Sequence, residues 1–313
     1  MLSVNFNEDV SVLSLLTRRE LLEFADRLFS EEGSADVLGV DRQMLRAFAE
    51  KLASNYHDNP YHNFHHAVDT VNTVAWMITR PVFKANLPPR CRFSLMLAAL
   101  AHDVDHPGHN NQFEVDTQST LARQYENTAV LEKHSIQVTR EILEDPGHNF
   151  MKSLDEETSR FILTSFEELI MSTDFQSHQS FMNDFRNYLT TKPHDFKEPV
   201  FLSWITRALI KAADISNTSK PFKEAKMWGR RVMMEFWAQG VEEKKLNLSV
   251  GPLNDPDTVR LNAAQAGFIR FAVMDLFQLL GRVDPAFGKL LDNLNSNLKH
   301  YEAIVATGES LFE

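Results

Sequence analysis

The sequence predicts an all-α fold, a compact assembly of many helices. Three observations carry this expectation. Apolar residues recur at helical spacing in several long segments. Alternating apolar and polar positions never pair around a hairpin turn. Breaks rich in Pro, Gly and Asn fall between the periodic segments, not inside them. No internal repeat is visible, which argues against a solenoid.

Taken in order, Leu21, Leu22, Phe24, Ala25, Leu28 and Phe29 form the first apolar stripe. The segment Asn59-Pro60-Tyr61-His62-Asn63-Phe64-His65-His66 follows. There Asn59 or Asp58 is placed to cap a helix, with Pro60 at its first position. On such a helix His62 and His66 would lie four apart on one face. Asn86-Leu87-Pro88-Pro89 breaks the chain before a helix over 92–101. Asp145-Pro146-Gly147-His148 reads as a turn. Phe161, Ile162, Phe166, Leu169 and Ile170 make the second stripe. Lys192-Pro193-His194 and Glu198-Pro199 frame a connection to an apolar helix, Phe201 to Ala213, which ends at Asp214. Gly251-Pro252-Leu253-Asn254-Asp255-Pro256 marks a long loop. Phe268, Phe271, Ala272, Leu276, Leu279 and Leu280 make the third stripe. The 23 Phe and 11 Met residues suit the packing of helical interiors. Residues 1–50 and 275–313 carry no readable chemistry and are expected to be helical packing.

The chain has 313 residues, of which 43% are hydrophobic and 24% charged. That suffices for a sizeable core, and no linker divides it, so a single domain over 1–313 is expected. A net charge of −11 argues against binding nucleic-acid polymers. A small anion is still compatible, because a bound metal supplies strong local positive charge. The lone Cys91 excludes an intrachain disulfide and reads as a small semi-buried residue. Met1–Asp9 lacks the basic start and apolar core of a signal peptide. No apolar run approaches the roughly 20 residues that span a bilayer. A cytoplasmic protein without membrane contact is expected, and the chain is compatible with a catalytic module taken from a longer protein.

The segment from Ala101 to Phe113 carries the chemistry. It places His102, Asp103, Asp105 and His106 within five consecutive positions, after a run of buried-looking residues from Leu95 to Ala101. Buried charges are costly unless paired or bound to metal. With His66 and Asp214 the set becomes two imidazoles and two carboxylates, His66, His102, Asp103 and Asp214. Such donors suit a borderline divalent ion such as zinc. Asp103 has a second oxygen with which to bridge to a harder, largely hydrated ion such as magnesium. Two ions roughly 3.5–4 Å apart would clamp a phosphoryl group and hold a hydroxide for in-line attack.

These blocks resemble the catalytic domain of class I cyclic-nucleotide phosphodiesterases. The family signature His-Asp-aliphatic-x-His-x-Gly-x-x-Asn-x-aliphatic/aromatic is met from His102 to Phe113 without departure. Tyr61-His62-Asn63-Phe64-His65-His66 matches a second block. Further matches lie at Val130–His134, Ser172–Asp174, Ala213–Asn217 and Gln265–Phe268, all in family order over roughly residues 55 to 270. The resemblance implies a phosphodiesterase-type helical catalytic domain acting in signal transduction. His66, His102, Asp103 and Asp214 correspond to the tight-metal ligands. Asp103 also reaches the second metal, magnesium or manganese. His106, Glu132 and Asp174 correspond to residues that hold that metal's waters. His62 corresponds to the general acid. A ribose 3′-oxyanion is a poor leaving group, and an imidazole titrating near neutral pH suits its protonation. The family supplies a partner for this histidine, which the sequence leaves unassigned.

Tyr61, Asn217, Val232, Gln265 and Phe268 correspond to substrate-binding positions. Phe268 and Val232 would sandwich the purine. The Gln265 amide would bond its edge, in either orientation. Asn217 matches cAMP-preferring relatives, so cAMP is favoured over cGMP, with both allowed. His109 is expected in a loop, His134 near the metal waters and His178 on the surface. Two other functions fit part of the pattern. A phosphohydrolase acting on nucleoside triphosphates or alarmones would share the metal ligands but want a Lys/Arg-rich pocket. A non-enzymatic nucleotide sensor would be expected to have lost a ligand or His62, and all are present. The same resemblance allows regulatory domains outside this chain.

Overall fold

A computed structural model of the chain describes residues 16–308. The reading of Met1–Asp9 lies outside them. Of the described residues 74% are helical and none lies in a strand, so the all-α expectation is met. In chain order the helices are α1 (Arg18–Glu32), α2 (Ser34–Leu38), α3 (Arg42–Ser54), α4 (Phe64–Ile78), α5 (Pro81–Asn86), α6 (Pro89–Ala101), α7 (Asn111–Asp116) and α8 (Thr120–Gln124). They continue with α9 (Val130–Glu144), α10 (Glu156–Met171), α11 (His178–Thr191), α12 (Pro199–Asp214), α13 (Phe222–Lys245), α14 (Leu261–Phe268), α15 (Met274–Gly281) and α16 (Gly288–Thr307).

The chain forms two compact units, interleaved along the sequence. The first holds the described residues up to Asp58, Asn63–His106 and Ala129–Asp214. Its centre is α6, which packs against α2, α4, α10 and α12. Every residue from Cys91 to Ala101 is buried. An apolar helix covered on all sides has no amphipathic stripe. It needs none, because each face meets a neighbour. Its C-terminal end is where His102 and Asp103 stand. Cys91 is buried more fully than the semi-buried position expected, and burial pushes its thiol up to about 11, which makes it unreactive near neutral pH.

The second unit comprises Asn59–His62, Pro107–Thr128 and the chain from Ile215 onward. Here α16 packs on α13, α14 and α15. Its Asn297 amide donates to the carbonyls of Thr218 (2.8 Å) and Lys220 (2.7 Å), and Asn293 donates to that of Ser219 (2.9 Å). The C-terminal helix thereby fixes the short turn that bears Asn217.

Five expectations change. The fourth helix begins at Phe64, not near Asn59, because the Asn63 side chain caps it by accepting from the His66 amide at 3.1 Å. His62 therefore sits in the bend before the helix, not on its face. The sixth helix starts at Pro89, since proline is pre-set for the first helical position. Phe271 is 76% exposed, because a π-helical turn over Ile269–Val273 shifts the helical phase and buries Ile269, Ala272 and Val273 instead. His178 is buried, stacked on Phe175 at 4.9 Å. The continuous helical stretch Leu261–Gly281 is also long and apolar enough to span a membrane by length and composition, contrary to the sequence reading. Half of it is buried, as in a core helix. Replacing Asn63 with alanine should cost about 0.5–2 kcal/mol through the lost cap. A lower urea midpoint at unchanged slope would show it.

Candidate active site

In the first unit four side chains from three separate segments meet. His66 lies in the first turn of α4, His102 caps the end of α6, Asp103 follows it, and Asp214 ends α12. Both imidazoles are almost fully buried. The His102 Nδ1–H donates to the Ala99 carbonyl at 3.0 Å, which turns Nε2 to the cluster. His102 Nε2 lies 2.9 Å from Asp103 Oδ2 and 3.3 Å from Asp214 Oδ1. His66 Nε2 lies 3.1 Å from Asp214 Oδ1, 3.4 Å from Asp103 Oδ2 and 3.2 Å from His102 Nε2.

These spacings decide what the cluster is fit to hold. Ligand bonds of about 2.0–2.2 Å give ligand–ligand edges of roughly 3.3 Å around a tetrahedral ion and roughly 2.9 Å around an octahedral one. Every separation just given falls in or near that range. The donors, two imidazole nitrogens and two carboxylate oxygens, are those a zinc-like ion takes. Without a cation the same groups bind protons. Burial alone would push the His102 imidazole down. The Asp103 carboxylate beside it and the bonds to Asp103 and Asp214 outweigh burial and hold it well above the usual histidine range. Burial likewise favours a neutral Asp214, but its bonds to His102 and His66 prevail and hold its carboxyl below the usual range.

Around this cluster the first unit gathers further groups. Lys211, one turn before Asp214, is buried and donates to the Ser172 carbonyl at 2.6 Å. Desolvation brings its amine down to about 8, against the pull of Asp214, Asp174 and Glu132. Asp174 Oδ1 accepts from the Gln176 amide at 2.9 Å. His106 is buried at the end of the Asp103 turn, and its amide donates to the Asp103 carbonyl at 3.1 Å. Tyr56 is buried too and donates to the Leu100 carbonyl at 2.8 Å. Burial pushes its hydroxyl well up, and the Asp103 and Asp214 charges add to that. Neither Lys211 nor Tyr56 carried a sequence signal.

In the second unit Val232, one of the expected substrate-binding residues, lies on α13. Trp228, Val232 and Glu235 fall at positions i, i+4 and i+7, one face of the helix. Trp228 meets the Tyr61 ring edge-on at 5.8 Å. Glu235, buried to 4% exposure, is the partner of His62 that sequence reasoning missed. Its Oε1 takes a short bond from His62 Nδ1. Its Oε2 accepts from the backbone amides of Tyr61 (2.9 Å) and His62 (3.0 Å). The Asn217 amide donates to the Tyr61 hydroxyl. Gln265 is buried against Gly229, where a Cβ would lie 2.9 Å from its Cδ. No hydrogen bond from the described residues fixes its amide. Val232 and Phe268 are half-buried. His109, on the loop before α7, stacks on Phe113 at 4.1 Å and reaches Glu242 at 3.1 Å.

The chain is similar to known proteins in sequence and in fold. A family model described as 3′5′-cyclic nucleotide phosphodiesterase matches residues 61–294. The chain is 28% identical over 309 residues to the probable 3′,5′-cyclic-AMP phosphodiesterase pde-4 of Caenorhabditis elegans, covering 96% of this chain and 44% of that protein. It is 30% identical over 298 residues to the high affinity cGMP-specific 3′,5′-cyclic phosphodiesterase 9A of Drosophila melanogaster, covering 91% of this chain and 19% of that one. The chain thus spans less than half the length of these relatives. The crystal structure of the phosphodiesterase domain of Salpingoeca rosetta rhodopsin phosphodiesterase is similar at a TM-score of 0.90 and 28% identity. The match covers 97% of this chain and 93% of that domain.

Proposed function

Because the chain belongs to the 3′,5′-cyclic nucleotide phosphodiesterase family, we propose that it hydrolyses a 3′,5′-cyclic nucleotide, cAMP in preference to cGMP, to the 5′-monophosphate. The observation that carries this is the cluster of His66, His102, Asp103 and Asp214, with donor atoms at coordination spacing. These four would hold the tight ion, zinc. Asp103 would also serve a second ion, magnesium or manganese, whose waters His106, Glu132 and Asp174 would hold. When bound, such a pair activates water and neutralises phosphoryl charge.

The rest of the chemistry falls to side chains. Water adds to phosphorus, the P–O3′ bond breaks, and O3′ needs a proton. His62 supplies it. Its Nδ1 is engaged by Glu235, which assigns the transfer to Nε2. A carboxylate bonded at one oxygen by two backbone amides and at the other by the ring favours positive charge on that ring. Asn217 gives one amide N–H to Tyr61, and its carbonyl oxygen would serve as an acceptor for the base. An acceptor suits the amino group of adenine and opposes the carbonyl of guanine. Gln265, lacking a protein partner among the described residues, bonds the purine edge, with Phe268 and Val232 on either face.

Residues 1–313 act here as one catalytic domain. The chain passes between its two units after residues 58, 62, 106, 128 and 214, so neither unit is a continuous stretch. The greater length of the relatives leaves room for regulatory domains beyond it. The test is hydrolysis of cAMP and cGMP by the purified chain, with chelator and then with metal restored. Metal-dependent turnover, faster for cAMP, is expected. No turnover of either nucleotide by folded, metal-loaded protein would refute the reading. A Cβ on Gly229 would displace Gln265. Gly229→Ala should therefore raise KM about 5–10-fold, the worth of one hydrogen bond, with metal content unchanged. An unchanged KM would remove Gln265 from the site.

A further inference from the structure

The turn that presents Asp103 and His106 is gripped by two histidines outside the ligand set. Asp105 stands on it with φ at 62°, the left-handed region that residues with a Cβ avoid. Its carboxylate is held at both oxygens. Oδ1 pairs with His57 Nε2 at 2.7 Å, and Oδ2 with His134 Nε2 at 2.8 Å. His57 comes from the segment after α3, and His134 from α9, so the two holds are independent. Next to His134, Ser135 donates its hydroxyl to the Val104 carbonyl at 3.0 Å. Thus α9 ties the turn at two successive residues, and the same helix carries Glu132 in its first turn.

The left-handed residue has a geometric consequence. Between Asp103 and His106 the chain reverses within three residues, closed by the His106 amide on the Asp103 carbonyl at 3.1 Å. That reversal sets the direction of the Asp103 side chain at one end and of His106 at the other. Asp105 pinned at both oxygens cannot relax towards ordinary backbone angles without breaking one of the two pairs. We propose that Asp105, His57 and His134 are positioning residues, a clamp that holds the ligand-bearing turn in its metal-binding shape. The inference rests on the metal-centre reading above. None of the three touches substrate or is a ligand in that reading.

The test measures metal without turnover, on the full chain. Zinc affinity is read by competition with a chelator, and site geometry by the absorption spectrum of the cobalt-substituted protein. Asp105→Gly accepts the left-handed angle freely, so it removes the clamp without adding backbone strain. It should weaken zinc binding about 10–100-fold, as loss of groups that orient ligands does, and alter the cobalt spectrum. Asp105→Asn keeps the shape and one acceptor oxygen, and should recover part of the loss. His134→Ala leaves the turn's own residues untouched and decides the matter should the glycine variant not fold. It should shift the spectrum in the same direction. Zinc affinity within about twofold of the parent, with an unchanged cobalt spectrum, would overturn the clamp while leaving the metal centre intact. An unaltered chain that binds neither zinc nor cobalt would refute the metal centre, and this inference with it.

Discussion

Asp214→Ala should lose the tight ion and catalysis together. Its Oδ1 lies within 3.3 Å of both buried imidazoles. Removing it leaves three donors, on a helix end that cannot move a substitute into place. The loss of metal affinity should exceed the roughly 10–100-fold typical of an outer-shell partner. Turnover should fall at least about 10³-fold, because water then lacks the cation that lowers its pKa. The sign of the pH dependence follows from the same cluster. In the parent, the neighbouring carboxylates hold His102 in its protonated form well above its ordinary range. A cation must displace that proton, so zinc affinity should decline as pH is lowered. Since the ion binds the folded chain preferentially, chelation should also lower the melting temperature of the parent. In the variant that chelator effect should vanish. Metal analysis of purified Asp214→Ala provides the check: a full complement of zinc with normal turnover would exclude Asp214 as a ligand.

What the sequence made legible follows the range of the forces involved. The run ending at Ala101 announces a central helix because its burial leaves no polar face, and composition alone records that. His102 and Asp103 are legible for the same reason: charged groups at the end of such a run need a partner. His66 and Asp214 gain meaning only beside His102 and Asp103, and the family pattern is what ties them together, since 148 residues separate them. Glu235 was not legible. It is one glutamate in a charged helix, and its partner His62 is 173 residues away. The misplaced helix start has a local cause. Asn59 and Asn63 are equally good caps in one dimension. The bend is settled by Glu235 taking the amides of Tyr61 and His62, which removes both from helical pairing. The π-turn at Ile269 leaves no mark in the apolar spacing, so Phe271 read as core. The left-handed angle of Asp105 is equally silent, because aspartate is common in many conformations.

His62→Ala should keep its metal and lose turnover by about 10²–10⁴-fold, the usual contribution of a general acid or base. The cause can be separated from mere disruption by changing the leaving group. Expulsion of O3′ from a cyclic nucleotide needs a proton, whereas expulsion of nitrophenolate from a nitrophenyl phosphodiester does not. The variant's deficit should therefore be large with cAMP and small with the nitrophenyl ester. Glu235→Gln refines the point. Its side-chain oxygen can still take the Tyr61 and His62 amides, so the bend should survive. Its amide nitrogen would then face His62 Nδ1, where the carboxylate had accepted. The ring would have to accept at Nδ1, which is incompatible with the doubly protonated form that acts as an acid. Turnover of cAMP should fall about 10–100-fold, less than for His62→Ala because the imidazole remains, with little change in KM or in the nitrophenyl reaction. Equal losses on both substrates would mean that His62 and Glu235 support the structure of the site and do not deliver the proton.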